Sequence, residues 1–141
     1  MTIIQSGLRL PINPVLTTLL LHDIQHSSPS NKSTSNAVIL NYYDPYYSPE
    51  SGGYHPVEIR LFQLDNEWCF DYITDFAYMG TIYPELEKEF DVCWSQGYLY
   101  HAALGDIDER AGDAFFKLWQ ENFIQYHKMG CYTLRIEWQH D

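Results

Sequence analysis

The spacing of apolar positions changes along this chain, and the change divides it into elements. Val15, Leu16, Leu19, Leu20 and Ile24 recur at helical spacing behind Asn13-Pro14. Asn can cap the free N–H groups of a first turn, and Pro suits the first helical position. A helix is predicted over about 13–26. The polar stretch 27–36 reads as a loop, because Ser and Asn compete for backbone hydrogen bonds and Pro29 stops the helix. From Ala37 the period becomes two. Ala37 to Tyr43 and Pro56 to Gln63 read as strands, and so does Trp68 to Phe76. In the last of these, Trp68, Phe70, Tyr72, Thr74 and Phe76 share one face, and Cys69, Asp71, Ile73 and Asp75 the other. Phe90, Val92 and Trp94 alternate with Asp91, Cys93 and Ser95, and Tyr98 to Leu104 can return as the hairpin partner. The acidic stretch from Gly105 to Gly112 reads as a loop. A second helix, over about 113–129, carries Phe115, Phe116, Trp119, Phe123 and Tyr126 on one stripe and ends at Gly130. In the closing strand, 130–139, Tyr132, Leu134, Ile136 and Trp138 alternate with Thr133, Arg135 and Glu137.

Helix, a run of antiparallel strands, helix, strand is the order of an α+β domain. One domain is expected over 1–141, with a twisted antiparallel sheet over about 37–104 flanked by N- and C-terminal helices. Matching apolar faces fixes a register for the second and third strands, since a one-residue slip would put acids into the core. A turn at Leu64-Asp65-Asn66-Glu67 pairs Leu61 with Phe70 and Ile59 with Tyr72. It also sets Arg60 opposite Asp71 as a cross-strand ion pair.

Charge changes the picture next. The chain carries 19 acids against 8 bases, a net charge of -11. Twelve of those acids lie between Asp65 and Asp113, where Lys88 and Arg110 are the only two bases. A field of that sign repels phosphate and anionic lipid and attracts basic partners, so direct nucleic-acid binding is not expected. Cys69, Cys93 and Cys131 have no CxxC spacing and read as free thiols of a reducing compartment. No signal peptide and no membrane span are read, and the default location is the cytoplasm. Asn31-Lys32-Ser33 matches a glycosylation acceptor, which has no weight without a secretion signal.

Candidate chemistry is sparse. His22 and His26 stand four apart on a helix, but the zinc-protease motif needs Glu where Asp23 sits and a third ligand further on. Ser51, His55 and Glu58 supply the residue types of a nucleophile, base and orienting acid. Ser51-Gly52-Gly53 is nevertheless a loop signal rather than a nucleophile elbow. The acids lack a calcium-loop pattern, and Glu85, Glu87 and Glu89 would share one face of an extended segment. No catalytic, cofactor or metal residue is assigned. The segment from Leu40 to Phe62 is the most distinctive, holding five of the twelve tyrosines and three of the seven prolines. Its loop residues Tyr46, Tyr47, Glu50, Ser51, Gly52, Gly53, Tyr54 and His55 form a candidate binding surface or interface. Tyr46 and Tyr47 are the positions best placed for exposure.

Asn41-Tyr42-Tyr43-Asp44-Pro45 with Ser48-Pro49-Glu50-Ser51-Gly52-Gly53-Tyr54-His55-Pro56-Val57-Glu58-Ile59-Arg60 resembles the signature of an uncharacterised bacterial domain family found in genomic islands. The likeness continues through Phe70 to Phe76, Phe90-Asp91, Ser95-Gln96-Gly97, Phe116 to Gln120, Asn122-Phe123 and Met129-Gly130. That family is similar in fold to the mitochondrial acidic matrix proteins that bind the globular heads of complement C1q, three copies of which form an acidic ring. The resemblance implies a strongly twisted antiparallel sheet flanked by helices, and a homo-oligomer, a trimer by analogy. It supplies no activity. The expectation is therefore a non-enzymatic acidic binding or assembly protein that recognises a basic protein partner. Two alternatives stand beside it: an enzyme with a small-molecule pocket near His55 and the Tyr46–Tyr54 loop, and an acidic DNA mimic. The enzyme would show a pocket containing His55 with a perturbed pKa.

Overall fold

The computed structural model describes residues 2–27 and 35–140. Its elements run α1 (Pro14–Gln25), β1 (Ala37–Tyr43), β2 (Val57–Leu64), β3 (Glu67–Met79), β4 (Glu85–Cys93), β5 (Tyr98–His101), β6 (Gly105–Ile107), α2 (Glu109–Lys128) and β7 (Thr133–Gln139). The strands form one antiparallel sheet in the order β6-β5-β4-β3-β2-β1-β7, so the chain has the expected α+β architecture. Pro29 and Asn31-Lys32-Ser33 lie outside the described residues.

Both helices cover the same face of the sheet. Leu16, Leu20, Leu21 and Ile24 of α1 and Phe116, Phe123 and Ile124 of α2 pack with Val38, Leu40, Tyr42, Val57, Ile59, Leu61, Phe70, Ile73, Phe90, Val92 and Leu99. Asn13 caps α1 as expected, its side chain accepting a 2.9 Å hydrogen bond from the Val15 N–H. Asp23 ties α1 to both neighbours. It accepts from the Tyr42 hydroxyl at 2.7 Å and lies 2.9 Å from His127 Nε2. Burial pushes the Asp23 carboxyl up, but hydrogen bonds from His127 and Tyr42 outweigh it and leave the group below its ordinary range.

The stretch 105–112 is not the loop that its acidity suggests. Gly105–Ile107 pairs with β5 as the edge strand β6, and α2 starts at Glu109. The Asp108 carboxylate caps the helix by accepting from the Ala111 N–H at 2.8 Å, so an acid read as loop filler is an N-cap. Gly112 then lets α2 lie close on the sheet, since a Cβ there would stand 2.6 Å from Leu99 Cδ2.

The β2–β3 hairpin turns at Asp65-Asn66, which take positive φ values of 53° and 65° as a two-residue turn between twisted strands requires. Leu64 faces Glu67 and Leu61 faces Phe70, as the parity argument demands. The register then departs from expectation. Arg60 faces Tyr72, which leaves Asp71 as an extra residue, and Ile59 pairs with Ile73 rather than Tyr72. This β-bulge exchanges the faces of β3. Ile73 is fully buried in the core, whereas Tyr72 turns to the outer face and donates its hydroxyl proton to Glu58. The Arg60–Asp71 ion pair survives, with Nη1 2.6 Å from Oδ2. A second bulge follows. Asp75 faces Phe90 and Phe76 faces Lys88, leaving Glu89 as the extra residue of β4.

Candidate functional site: a carboxylate and aromatic cleft

The two bulges converge on one place. Without the extra residue at Asp71, strict alternation from Phe70 would turn Asp75 to the outer face; with it, Asp75 points toward α2. Without its own bulge, Glu89 would oppose Phe90; with it, both side chains lie on the helix side. Bulges re-aim side chains, and here each one brings a carboxylate inward. Glu89 is half-buried, whereas Glu85 and Glu87 stay exposed.

His55 completes the cluster. Pro56 and Val57 lead from it into β2, and its Nδ1 faces both carboxylates. Nδ1 is 2.7 Å from Glu89 Oε2 and 3.2 Å from Asp75 Oδ1. The second Asp75 oxygen accepts a 3.0 Å hydrogen bond from the Trp119 indole N–H, so α2 fixes the carboxylate from above. The hydrogen bond with Asp75 and the charges of Asp75 and Glu89 raise the His55 pKa against the opposing effect of burial. The imidazolium is the form this setting favours.

These residues line a cleft of about 330 Å³ together with Gly53, Tyr54, Asn122, Phe123, Tyr126 and Tyr132. Its walls are aromatic and braced by ring contacts. Trp119 stacks on Phe123 at 5.0 Å, Tyr54 meets Tyr126 edge-on at 4.7 Å, and Phe123 stacks on Tyr132 at 5.5 Å. No lining residue is a Ser, Thr, Cys or Lys. Donor atoms of His55, Asp75 and Glu89 all lie within 4.8 Å of one another, which makes these three the residues of the cleft able to hold a metal ion.

The candidate loop residues divide around this cleft. Tyr54 and His55 are part of it and Gly53 borders it. Tyr47 folds back: its hydroxyl accepts from the Tyr78 N–H at 3.0 Å, and its ring lies 5.3 Å from that of His55. Tyr46 stays 85% exposed, the one candidate tyrosine that projects freely. Glu50 is exposed, and Ser51 spends its hydroxyl on Ser48 at 2.6 Å. Ser51, His55 and Glu58 are not brought together, since Glu58 accepts from Tyr72 on the outer face. His22 and His26 stack at 4.0 Å on α1. Asp75 and Glu89 as partners of His55, and Trp119 and Tyr126 as walls of its cleft, are not legible in the sequence.

The outer face holds a different arrangement. Asp91 is buried there, accepting from Thr74 at 2.7 Å, Tyr98 at 2.6 Å and Lys88 at 3.3 Å. With three donors already on it, this carboxylate is a satisfied structural group.

Residues 14–137 match the family described as protein of unknown function (DUF2787), and the chain belongs to that family. It is similar to the hypothetical protein VC0508 from the Vibrio cholerae VSP-II pathogenicity island, with 34% identity, 99% of each chain covered and a TM-score of 0.87. It is also similar to the conserved hypothetical protein VC1805 from the pathogenicity island VPI-2 of Vibrio cholerae O1 biovar eltor. There the identity is 30%, with 97% of this chain and 100% of that one covered and a TM-score of 0.82. The second structure is described as sharing structural homology with the human P32 protein. No curated protein is significantly similar to the chain. Among the described residues, no helix is long and apolar enough to cross a membrane.

Proposed function

For this member of the DUF2787 family, we propose a binding role: the cleft receives a basic side chain, Lys or Arg, of a protein partner. One observation carries the reading. Two carboxylates converge at the base of a cleft whose walls are aromatic, and a cation gains from both. Carboxylates offer charge-assisted hydrogen bonds, and ring faces attract positive charge within about 6 Å of their centroids. The long apolar stem of Lys or Arg suits the same rings. A net charge of -11 adds attraction at a distance. The cleft does hold His55 with a raised pKa, as the enzyme alternative requires, but no Ser, Thr, Cys or Lys nucleophile lines it, and that lining favours binding over catalysis.

Titration with short Lys- and Arg-containing peptides, followed by calorimetry, tests this. Glu89→Gln should weaken binding about tenfold, the scale of one charged hydrogen bond. Glu85→Gln removes the same net charge from an exposed site and should leave affinity within about twofold, as expected for a surface charge. Equal losses in the two variants would mean that only overall charge matters, and the cleft reading would fall.

A second reading has its own support. The spacings of 2.7 and 3.2 Å from Nδ1 to the carboxylate oxygens are those of ligands around a divalent ion, whose bonds of about 2.0–2.2 Å place neighbouring donors roughly 3 Å apart. His55→Ala separates the two. It removes a competing positive charge and should keep or strengthen peptide binding. For a Zn²⁺ or Mn²⁺ ion it removes one ligand of three and should abolish binding by calorimetry.

A further inference from the structure

Strand β7 ends the sheet. It pairs with β1 from Thr133 opposite Tyr43 to Gln139 opposite Ala37, and no other described strand lies beyond it. An edge of this kind exposes a row of backbone donors and acceptors, and proteins blunt such edges with Pro, bulges, short length or charged side chains. β7 has only the last of these, Arg135 and Glu137: it is seven residues long, contains no Pro and keeps an unbroken register with β1. Leu134, Ile136 and Trp138 stay only half-buried against the core, and Arg135 and Glu137 are exposed on the other face.

The strand is complementary to itself. Laid antiparallel on a second β7 with Ile136 facing Ile136, it sets Arg135 opposite Glu137, Leu134 opposite Trp138 and Thr133 opposite Gln139. The Arg135–Glu137 pair therefore forms twice across the two-fold axis. A shift of two residues either way destroys this, because it places Arg135 against Arg135 or Glu137 against Glu137. Directly opposed charges decide register in antiparallel pairs. Arg135 is also held in place, its guanidinium 5.5 Å from the centre of the Tyr43 ring.

We propose that β7 is the docking edge for a second copy of this chain. The two β7 strands pair about a two-fold axis at Ile136, joining two sheets into one and covering the apolar side chains that each copy leaves half-exposed. The pairing is isologous and closes at two copies. The carboxylates of the cleft lie apart from this edge, on β3 and β4, although Tyr132 of the cleft wall immediately precedes β7.

Sedimentation equilibrium of the full chain tests it. Wild type should be a dimer. R135E sets an acid opposite Glu137 twice across the axis, and E137R sets a base opposite Arg135 twice, so each should weaken self-association by about tenfold or more, from two reversed cross-strand pairs. An equimolar mixture of R135E with E137R should form a heterodimer, because every introduced charge then meets its complement. The double variant R135E/E137R should dimerise by itself for the same reason. Recovery in the mixture and in the double variant also shows that the single variants are folded. A wild-type monomer or trimer, single variants that associate as wild type does, or a mixture that stays monomeric would each overturn the proposal.

Discussion

Trp94→Ala should cost about 3–5 kcal/mol of folding stability, read as a shifted midpoint of chemical denaturation with an unchanged slope. Trp94 follows β4 into the core and is 1% exposed. Its ring stacks on Phe70 at 4.7 Å and meets Phe116 edge-on at 5.9 Å, so it joins the sheet to α2. The indole N–H donates to Gln5 Oε1 at 3.0 Å, and the same Gln5 oxygen accepts from the Leu10 N–H at 2.8 Å. Trp94 is thereby one anchor of the N-terminal segment, beside the backbone hydrogen bonds from the Ile4 N–H to the Trp68 carbonyl at 2.9 Å and from the Phe70 N–H to the Ile4 carbonyl at 3.0 Å. Gly7 reinforces the attachment: any Cβ there would stand 2.5 Å from the Trp94 carbonyl oxygen. Truncation to Ala opens a cavity at a point that three layers of the fold share, where collapse is restricted on every side. A domain of this kind is held by roughly 5–15 kcal/mol, so the variant should approach the folding threshold. Trp68→Ala is the control. Trp68 is only partly buried and tilts against Trp138 at 6.4 Å, so its loss should cost clearly less. Equal losses at the two positions would show that the Phe70–Trp94–Phe116 stack is not the keystone described here.

How much of this could be read from the sequence follows from what local chemistry can encode. The Asn13-Pro14 helix start, the Leu61–Phe70 parity and the Arg60–Asp71 pair were all legible, because capping and period-two alternation act between near neighbours. The β2–β3 turn was legible in position, though its two positive-φ residues are Asp65 and Asn66 rather than a glycine. The bulges were not legible. Nothing in Phe70-Asp71-Tyr72-Ile73 marks Asp71 as an extra residue, and alternation read through it assigns every later side chain of β3 to the wrong face. That slip turns Asp75 outward on paper, and the second bulge, in β4, is equally silent about Glu89, so Glu58 stands as the acid beside His55 in place of the two that meet it. Ile73 held the missing clue: a β-branched apolar residue among acids asks to be buried, and burying it drags Asp75 in as well. Trp119, by contrast, was read correctly as part of an apolar stripe. That its N–H meets Asp75 depends on tertiary packing that no spacing within α2 contains.

Neutralising both carboxylates, Asp75→Asn with Glu89→Gln, should lower affinity for a Lys-containing peptide by about 100-fold, the sum of two charged hydrogen bonds at the low end of their usual worth. It should also remove the pH dependence of peptide affinity. In wild type the hydrogen bond with Asp75, followed by the charges of Asp75 and Glu89, raises the His55 pKa while burial opposes it. A histidine whose folded pKa is raised stabilises the fold fully below its unfolded value, near pH 6.5, and that contribution is lost as pH climbs through the raised folded value. Cation binding runs the other way. The His55 proton and an incoming ammonium compete for the same oxygens, so peptide affinity should rise over the window in which stability falls. With both acids replaced by amides, burial alone acts on His55 and its pKa should drop, which NMR titration of the ring protons reports directly. The peptide-affinity profile should then be flat across the wild-type transition. Two opposed wild-type pH profiles, of which the affinity profile flattens and the stability profile reverses in the double variant, would tie stability, His55 and cation binding to one cluster. A persistent wild-type profile in the double variant would place the titrating group elsewhere and remove His55 from the binding role.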